Sequence, residues 1–380
     1  MLGILCLGYL VSTQKAIIWL TRAVPRLEPY VKNFTFFYWC HIMMAVAFVG
    51  ILLLGHPLPG LPSLTKEGNG SIAWIFLALP ILLFAYQVIS LTVRSFLGRT
   101  RVVACEALPG KVVTFQCPVP KTALECKAGE YAKIMIPAVH VREWHPFTLS
   151  GDPESGTLQF HIKALGDWTG RLYELAESGK LMSQRVIVQG SFTTRAREYK
   201  NFNVVVFVAT GIGATPFTSI LQKAVQRGKP DGRHYYFHWI VREQVAAKTW
   251  FIDLLQEVEN ADKEWNINIT VWFTGARFMK RKGAVQTKLF DLSTYSYLET
   301  SGCELITGIV RKNHNVLIGI GRPPWGSTFD GLRQEHPQTS DIGVFFCGAP
   351  RLRRELSKLC VQHSTVSTAF RFHSEEFLSW

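Results

Sequence analysis

The chain has 380 residues, 48% of them hydrophobic, and its net charge is +13. This length exceeds one ordinary domain and predicts roughly two or three folded units. Because the basic residues are interspersed with acidic ones and no nucleic-acid-binding motif accompanies them, the charge favours anionic lipid or phosphorylated small molecules over nucleic acid.

The longest apolar runs lie in the first part of the chain, residues 1–100. Two stretches, at about 34–57 and 71–95, are each long enough to cross a bilayer as a helix, and a run at 1–20 that polar residues interrupt is interpreted as the remnant of another helix. Basic residues flank both full spans. We therefore predict an integral membrane protein of the plasma membrane or an internal membrane, with the residues that follow in the cytosol.

Two histidines accompany the first predicted span. His41 lies inside the apolar stretch, where an imidazole costs free energy unless it has a partner. His56 follows 15 positions later, beside Pro57 at the end of the span. Ligation of haem iron is one interpretation of each histidine. The other is a side chain that reaches water at the membrane interface, which suits His56 better.

Residues 101–198 carry a different pattern, in which hydrophobicity alternates in short runs separated by proline and glycine. Alternation with a period of two predicts an antiparallel β-barrel of about six strands. The predicted strands include Val112–Cys117, Tyr131–Ile136, Thr157–Leu165 and Arg185–Gly190.

Residues 199–380 alternate apolar strands with helical stretches, which predicts a Rossmann-like α/β domain with a parallel sheet. The first strand, at 203–209, runs into the sequence GIGATP and then into a helix. Gly211 and Gly213 let the backbone approach a ligand, and Pro216 suits a first helical turn. Free amides at the start of that helix favour a pyrophosphate, although a purely structural turn remains the alternative.

Several motifs occur in the order and spacing of the NADPH oxidase and ferric reductase superfamily, which this chain resembles from about residue 34 to residue 377. They are HPFT at 145–148, HIK at 161–163 with GDWT at 166–169, GIGATPF at 211–217, WIVRE at 239–243, GRP at 321–323 and FCG at 346–348. GDWT and GRPPW make the chain more similar to the NADPH oxidase branch. The resemblance implies a membrane segment, an FAD-binding barrel of the ferredoxin reductase type and an NADPH-binding domain.

The resemblance also implies which residues of the barrel contact FAD. The segment that would hold the isoalloxazine ring is His145, Pro146, Phe147 and Thr148, with the Thr148 hydroxyl as a direct contact. The segment beside the diphosphate and adenine end is His161, Ile162 and Lys163. Thr169 corresponds to a hydroxyl that contacts phosphate, and its alternative role is the N-cap of a helix.

For NADPH, the resemblance assigns the pyrophosphate to a cradle formed by Gly211, Gly213, Thr215 and Pro216. Arg242 follows a strand, and its guanidinium suits the 2′-phosphate that separates NADPH from NADH. Arg322 is a similar candidate, and a solvated surface arginine is the alternative for both. Cys347, followed by Gly348, would lie near the nicotinamide and help to set the geometry of hydride transfer, unless it is a buried core cysteine.

The chain also departs from the family pattern. Phe377 corresponds to an aromatic residue that covers the flavin, but three residues follow it, so either Phe377 or Trp380 is expected to stack there. Residues 190–193 replace a Gly-Pro-aromatic-Gly turn. Family members have six membrane helices that hold two haems, and this chain begins within the fourth. We therefore expect an N-terminally truncated chain in which binding of haem b is left open.

These observations predict a membrane-bound flavoprotein oxidoreductase, with Cys347 and Phe377 as catalytic candidates. It would transfer electrons from cytosolic NADPH to FAD and, in full-length form, through haem to oxygen outside, giving superoxide or hydrogen peroxide. Membrane lipid, a small membrane subunit and cytosolic activators are the expected partners. The alternatives are a ferric-chelate reductase, a haem-free diaphorase of the soluble type and a truncated non-catalytic interaction protein.

Overall fold

A computed structural model of the chain describes residues 70–141, 143–226, 231–242, 249–261, 266–274, 288–290 and 315–375. The chain divides into two compact units, residues 1–90 and 91–380. Several predictions fall outside the described residues: the span at 34–57, the remnant at 1–20, the haem candidates His41 and His56, and the flavin-covering candidates Phe377 and Trp380. These stay predictions, as do the domain boundaries.

The second predicted span falls within helix α1, Gly70–Leu97. The side chains of 70–81 lie outside the described residues, and the described apolar ones that follow, such as Leu82, Tyr86 and Ile89, are exposed. Among the residues that the structure describes completely, no helix combines the length and the apolarity that crossing a membrane requires.

The region after α1 forms two antiparallel sheets. The first has the order β1 (Arg99–Arg101), β7 (Arg185–Phe192), β4 (Tyr131–Met135) and β5 (His145–Thr148), and the second has the order β2 (Ala104–Leu108), β3 (Val112–Pro118) and β6 (Thr157–Lys163). A bridge between Leu149 and Phe160 joins the two sheets. The predicted antiparallel β domain is thus confirmed, with seven described strands instead of about six.

Alternation of side chains explains why these strands enclose a core. Val113, Phe115 and Cys117 of β3 are fully buried, and they pack with residues of the opposite sheet such as Ile134. Helix α2, Asp167–Glu177, covers this core with Trp168 and Leu172.

The rest of the chain forms a seven-stranded sheet in which each described pair of neighbours is parallel except for the first. The order is β11 (Lys288–Phe290), β12 (Val316–Ile320), β10 (Ile267–Phe273), β9 (His234–Val241), β8 (Val204–Thr210), β13 (Asp341–Cys347) and β14 (Ala369–Glu375). The helices are α3 (Thr215–Gln226), α4 (Ile252–Asn260), α5 (Trp325–Glu335) and α6 (Pro350–His363). The predicted Rossmann-like parallel sheet is confirmed.

Strand β8 is apolar throughout because helices cover both of its faces. Val205 and Phe207 pack in one cluster with residues of α3 and α4, whereas Val204, Val206 and Val208 pack in another with residues of α5 and α6. A strand buried on both sides reads as a continuous hydrophobic run instead of an alternating one, as the sequence VVVFVA does.

The β domain and the parallel sheet meet at the polar loop before β4. The Gly129 N–H donates to the Ser219 hydroxyl oxygen of α3 at 2.7 Å, and the Thr194 hydroxyl donates to the Gly129 carbonyl. The next residue, Glu130, is 2% exposed and forms an ion pair with Arg197 of the connecting segment. This loop therefore contacts both the connection and the first helix of the second domain.

Contacts between other segments of the two domains reinforce this junction. The Trp250 indole N–H donates to the Pro109 carbonyl at 2.9 Å, and the Thr218 hydroxyl donates to the Ser150 carbonyl at 3.3 Å. Lys223 forms an ion pair with Glu154. Because these contacts come from separate parts of both domains, they fix how the two domains sit against each other.

We expect Glu130→Ala to lower the free energy of unfolding by about 3 kcal/mol, because it leaves the half-buried Arg197 guanidinium without its carboxylate. Asp341→Ala is the matched control, since it removes an acid from the exposed pair with Arg371 and should cost less than about 1 kcal/mol. Urea denaturation followed by circular dichroism measures both changes. Equal losses in the two variants would show that the buried pair does not stabilise the junction.

Candidate functional site

The glycine-rich turn joins β8 to α3. Gly211 has a φ of +54°, in the left-handed region, and the space where its Cβ would lie is open to 4 Å. A Cβ on Gly213 would lie 2.6 Å from the Cys347 carbonyl oxygen, so only glycine allows β13 to end this close to the turn. The turn thus has an open side at Gly211 and a packed side at Gly213, and helix α3 begins directly after it at Thr215 and Pro216, both buried.

Trp239 is a residue of this site that the sequence did not reveal. It is fully buried on β9, and its indole N–H donates to the Gly211 carbonyl at 2.9 Å. Its ring packs edge-on against Phe251 at a centroid distance of 5.4 Å. Trp239 thus fixes the orientation of the Gly211 carbonyl in the turn. Its only signal in the sequence was its place in the WIVRE motif, which also contains Arg242.

Arg242 and Arg322 both follow strands at the carboxyl edge of the sheet. Val241 and Ile320 pair with the same residue of the strand between them, Phe273. Two strand spacings separate the arginine backbones by about 10 Å. Both side chains are exposed, so the structure brings two guanidinium groups to the edge where open α/β sheets bind ligands.

Cys347 ends β13 beside Ala209 of β8 and has no exposed surface. Burial raises the pKa of its thiol well above the usual value, and the nearby Glu375 carboxylate adds to this effect. The side chain is therefore a neutral thiol packed beneath the glycine-rich turn, which is the arrangement of the core-cysteine alternative. Gly348 follows, and the N–H of the next residue, Ala349, donates to the Thr210 hydroxyl oxygen at 3.1 Å.

The HPFT segment is strand β5, at the edge of its sheet, so one side of its backbone has no strand partner in that sheet. Thr148 is 5% exposed, and its hydroxyl forms no hydrogen bond with any described residue. Pro146 is exposed. The rings of His145 and Phe147 pack on Trp168 of the GDWT motif, at centroid distances of 4.4 and 5.7 Å. Two distant motifs thus form one aromatic support.

Next to β5, Tyr131 of β4 pairs with Thr148 and stacks on Phe192 at 5.0 Å. The Lys133 ammonium lies 5.2 Å from the centroid of the Phe192 ring. Neither aromatic residue was selected from the sequence, although Phe192 lies in the segment that departs from the family turn. Flat aromatic surface, a cation and an unpartnered backbone edge therefore occur together in the β domain.

The HIK segment is the end of β6. The His161 Nδ1 atom lies 2.8 Å from the Ser150 hydroxyl oxygen, and its ring lies 4.7 Å from that of Phe251. Burial lowers the pKa of His161 to about 4, although a hydrogen bond to the Trp250 backbone opposes this shift, so the imidazole is neutral at physiological pH. Ile162 is buried. Lys163, which is half-buried, is the cation of this segment.

The Thr169 hydroxyl is engaged by the backbone before α2. It accepts hydrogen bonds from the N–H groups of Leu165 at 2.9 Å and Gly166 at 3.0 Å, and it donates to the Gly166 carbonyl. Thr169 is the third residue of α2 and its hydroxyl bonds back to the N–H of Gly166, which is the N-cap. The sequence alternative that Thr169 is itself the N-cap is therefore wrong, although its hydroxyl does help to cap the helix.

These observations test whether the residues fit the two nucleotides that the motifs imply. An open left-handed glycine before a helix, with two arginines along the same sheet edge, fits a dinucleotide that carries an extra phosphate. A hydroxyl without a partner among the described residues, on an edge strand beside stacked aromatic rings, fits a flavin. The roles of the individual residues stay predictions.

Two family models match the chain in the order of the two candidate sites. The ferric reductase NAD binding domain family matches residues 202–361, and the FAD-binding domain family matches residues 98–209. Among solved structures, a ferredoxin NADP+ reductase from Neisseria gonorrhoeae with bound FAD and NADP has a TM-score of 0.46 and 13% identity, covering 73% of this chain and 97% of that one. A ferredoxin-NADP+ reductase from Plasmodium falciparum has a TM-score of 0.45 and 14% identity, with coverages of 73% and 96%.

Curated relatives match more of the chain. A putative respiratory burst oxidase homolog protein G from Arabidopsis thaliana is 28% identical over 94% of this chain and 45% of its own length. The respiratory burst oxidase homolog protein A from Solanum tuberosum is 27% identical over 94% of this chain and 42% of its own length. The chain thus spans less than half the length of these relatives.

The matches confirm an FAD-binding domain and an NAD-binding domain, and with them an oxidoreductase as the class of enzyme. They also confirm the family resemblance that was inferred from the sequence motifs. The chain thus matches an FAD-binding domain family followed by a ferric reductase NAD binding domain family, and it is similar to respiratory burst oxidases along most of its length.

Proposed function

We propose that this protein is a membrane-bound flavoprotein whose two cofactor domains lie in the cytosol and pass electrons from NADPH to FAD. In a protein with the complete set of haem ligands, the electrons would continue through haem b to oxygen on the far side, giving superoxide or hydrogen peroxide. The observation that carries this proposal is the extent of the respiratory burst oxidase match. A match over 94% of the chain must include much of the apolar residues 1–100 as well as the cofactor domains.

The protein's part in this reaction is orientation. When bound, NADPH supplies a hydride and FAD accepts it, which makes two electrons available for release one at a time. The chain must hold the two ring systems in contact and keep water away from them. In our proposal the Gly211 turn and Arg242 hold one nucleotide, β5 holds the other, and the junction at Glu130 keeps the two sites at a fixed separation.

The catalytic candidates have different parts in this scheme. Cys347 would act by shape, because its neutral thiol and its carbonyl support the packed side of the turn at Gly213. Phe377 or Trp380 would cover the flavin until nicotinamide arrives. In support, β14 ends at Glu375 directly opposite Cys347, so this strand brings the chain to the sheet edge that carries the glycine-rich turn.

A ferric chelate is the alternative acceptor, since the family model that matches residues 202–361 is named for ferric reductases. An assay on membranes that contain the protein distinguishes the oxidase from the ferric-chelate reductase. NADPH-dependent oxygen consumption without reduction of a ferric chelate supports the oxidase, and the opposite result supports the reductase. If purified protein with added FAD reduces neither these acceptors nor a dye, the non-catalytic interaction protein is the correct interpretation.

We expect Thr148→Ala to lower the FAD content of the purified protein roughly two- to tenfold, because one hydrogen bond to the flavin is lost. Thr100→Ala is the control, since it removes a hydroxyl on β1 that donates to the Pro118 carbonyl. Flavin absorbance per protein gives the occupancy after gel filtration. If both variants retain the same flavin, Thr148 does not contact it.

We expect Arg242→Ala to reduce the preference for NADPH over NADH roughly tenfold, because a charge-assisted bond to the 2′-phosphate is lost while the rest of the dinucleotide is unaffected. Steady-state dye reduction gives kcat/KM for each nucleotide. Arg354→Ala, which removes an exposed arginine of α6, should leave the ratio unchanged. An unchanged ratio in Arg242→Ala would refute the assignment.

We expect Trp239→Phe to raise the KM for NADPH roughly two- to tenfold with little change in kcat, because the Gly211 carbonyl loses its hydrogen bond and the turn is no longer fixed. Trp250→Phe removes an indole donor of the same aromatic cluster whose acceptor is Pro109, and it should not raise this KM. An equal rise of the KM in both variants would mean that the aromatic cluster acts only through the stability of the fold. Thermal melting of both variants measures that stability.

A further inference from the structure

Three arginines converge on the outer face of the edge formed by β1 and β7. The antiparallel register places Arg101 directly opposite Arg185, and Arg99 lies two residues earlier on the same face of β1. The intervening pair, Thr100 and Val186, points to the other face, where Val186 is fully buried. All three arginine side chains are exposed. We refer to Arg99, Arg101 and Arg185 as the arginine face.

The charges of this face are not balanced within the described part of the chain. Like charges directly opposite each other destabilise a strand pair. None of the three arginines forms an ion pair with a described residue: Arg101 donates to the Ser183 carbonyl at 2.9 Å, and the Arg99 guanidinium lies over the Phe96 ring at 4.7 Å. By contrast, other arginines of the protein pair with carboxylates, namely Arg197, Arg233, Arg333 and Arg371. An external anion would relieve the repulsion.

Exposed apolar side chains lie beside the arginine face. Val103 is 52% exposed and Met182 is 45% exposed, and backbone hydrogen bonds from Val102 to Gln184 and from Ser183 to Val102 connect their segments. Phe96, under Arg99, is also exposed. Guanidinium groups beside exposed apolar and aromatic side chains suit the head-group region of a bilayer, where both kinds of side chain find partners. A freely soluble anion would need only the arginines.

Chain connectivity supports the same conclusion. Helix α1 ends at Leu97 and β1 begins at Arg99. An extended chain advances at most about 3.5 Å per residue, so Arg99 and Arg101 lie within about 7 and 14 Å of the end of the helix. If the helix crosses the membrane as proposed, these two arginines are at the head-group level. Arg185, distant in sequence, is brought there by strand pairing.

We propose that the arginine face is a docking surface for the anionic lipid head groups of the bilayer, with Arg185 as the member that only the fold supplies. This proposal rests on the proposed attachment to a membrane. The planar guanidinium can donate two hydrogen bonds to one phosphate, and clustered arginines favour phosphatidylserine over the zwitterionic phosphatidylcholine. Each basic residue near an anionic surface contributes about fivefold to the affinity.

The test uses the full chain reconstituted into bilayers of phosphatidylcholine with a minor share of phosphatidylserine. After gentle extraction and purification, mass spectrometry gives the phosphatidylserine-to-phosphatidylcholine ratio of the lipids retained by the protein. We expect enrichment of phosphatidylserine over the input, and we expect Arg185→Gln to reduce that enrichment about fivefold. Arg171→Gln, which removes an exposed arginine of α2, is the matched control and should retain it. NADPH-dependent dye reduction should be unchanged in both variants.

Arg185→Glu separates lipid binding from folding. It places a carboxylate opposite Arg101, so the strand pair gains an attractive contact and the melting temperature should stay equal or rise while the enrichment is lost. Equal enrichment in Arg185→Gln and Arg171→Gln would overturn the proposal. Complete displacement of the lipid by excess inorganic phosphate would also overturn it, because the face would then bind free anions.

Failure of membrane attachment itself gives a different result. If an alkaline wash removes the chain from the bilayer, the proposed membrane span is wrong. Flotation of the same chain with vesicles then tests whether the arginine face binds lipid without a membrane span. Capture by vesicles that contain phosphatidylserine, with loss in Arg185→Gln, would support a peripheral docking surface, whereas equal capture of the two variants would refute it.

Discussion

A hydride moves only between two rings in contact, so everything proposed for this protein depends on a fixed relation between the β domain and the parallel sheet. The buried Glu130–Arg197 pair is central to that relation. Breaking such a pair leaves a charge in a poorly solvated place, which makes the correct docking of the domains much more stable than a displaced one. The hydrogen bond from Gly129 to Ser219 aligns the same loop with the first turns of α3. The glycine-rich turn and strand β5 are thus positioned through one loop.

Local patterns were sufficient to predict the two folds and the backbone part of the site. The run VVVFVATGIGATP places a buried strand, a glycine-rich turn and a helix start in direct succession, and each step depends on neighbouring residues only. The position of the two arginines could be predicted for the same reason, because Arg242 directly follows β9 and Arg322 follows β12 after one glycine. Alternating runs such as Val112–Pro118 likewise predicted the β domain. The number of strands could not be read from these runs alone.

Contacts between distant parts of the chain could not be predicted. Trp239 meets Gly211 across 28 positions, Glu130 meets Arg197 across 67, and Arg101 meets Arg185 only because β1 and β7 are neighbours in space. Thr169 and Cys347 show that a motif match does not reveal the surroundings of a side chain. Each matched a family position by sequence, and the structure shows that nearby backbone already occupies the Thr169 hydroxyl and that packing encloses the Cys347 thiol. Burial and hydrogen-bond competition are properties of the fold rather than of a motif.

The state of the Cys347 thiol has a consequence for the durability of the protein. Oxidants attack sulfur mainly as the exposed thiolate, and Cys347 is neither exposed nor ionised. If electrons reach oxygen as proposed, the protein works in the presence of peroxide throughout its lifetime. Because this sulfur is protonated and buried, it can pack beside Gly213 without being converted to a larger, charged sulfur acid that would disturb the turn.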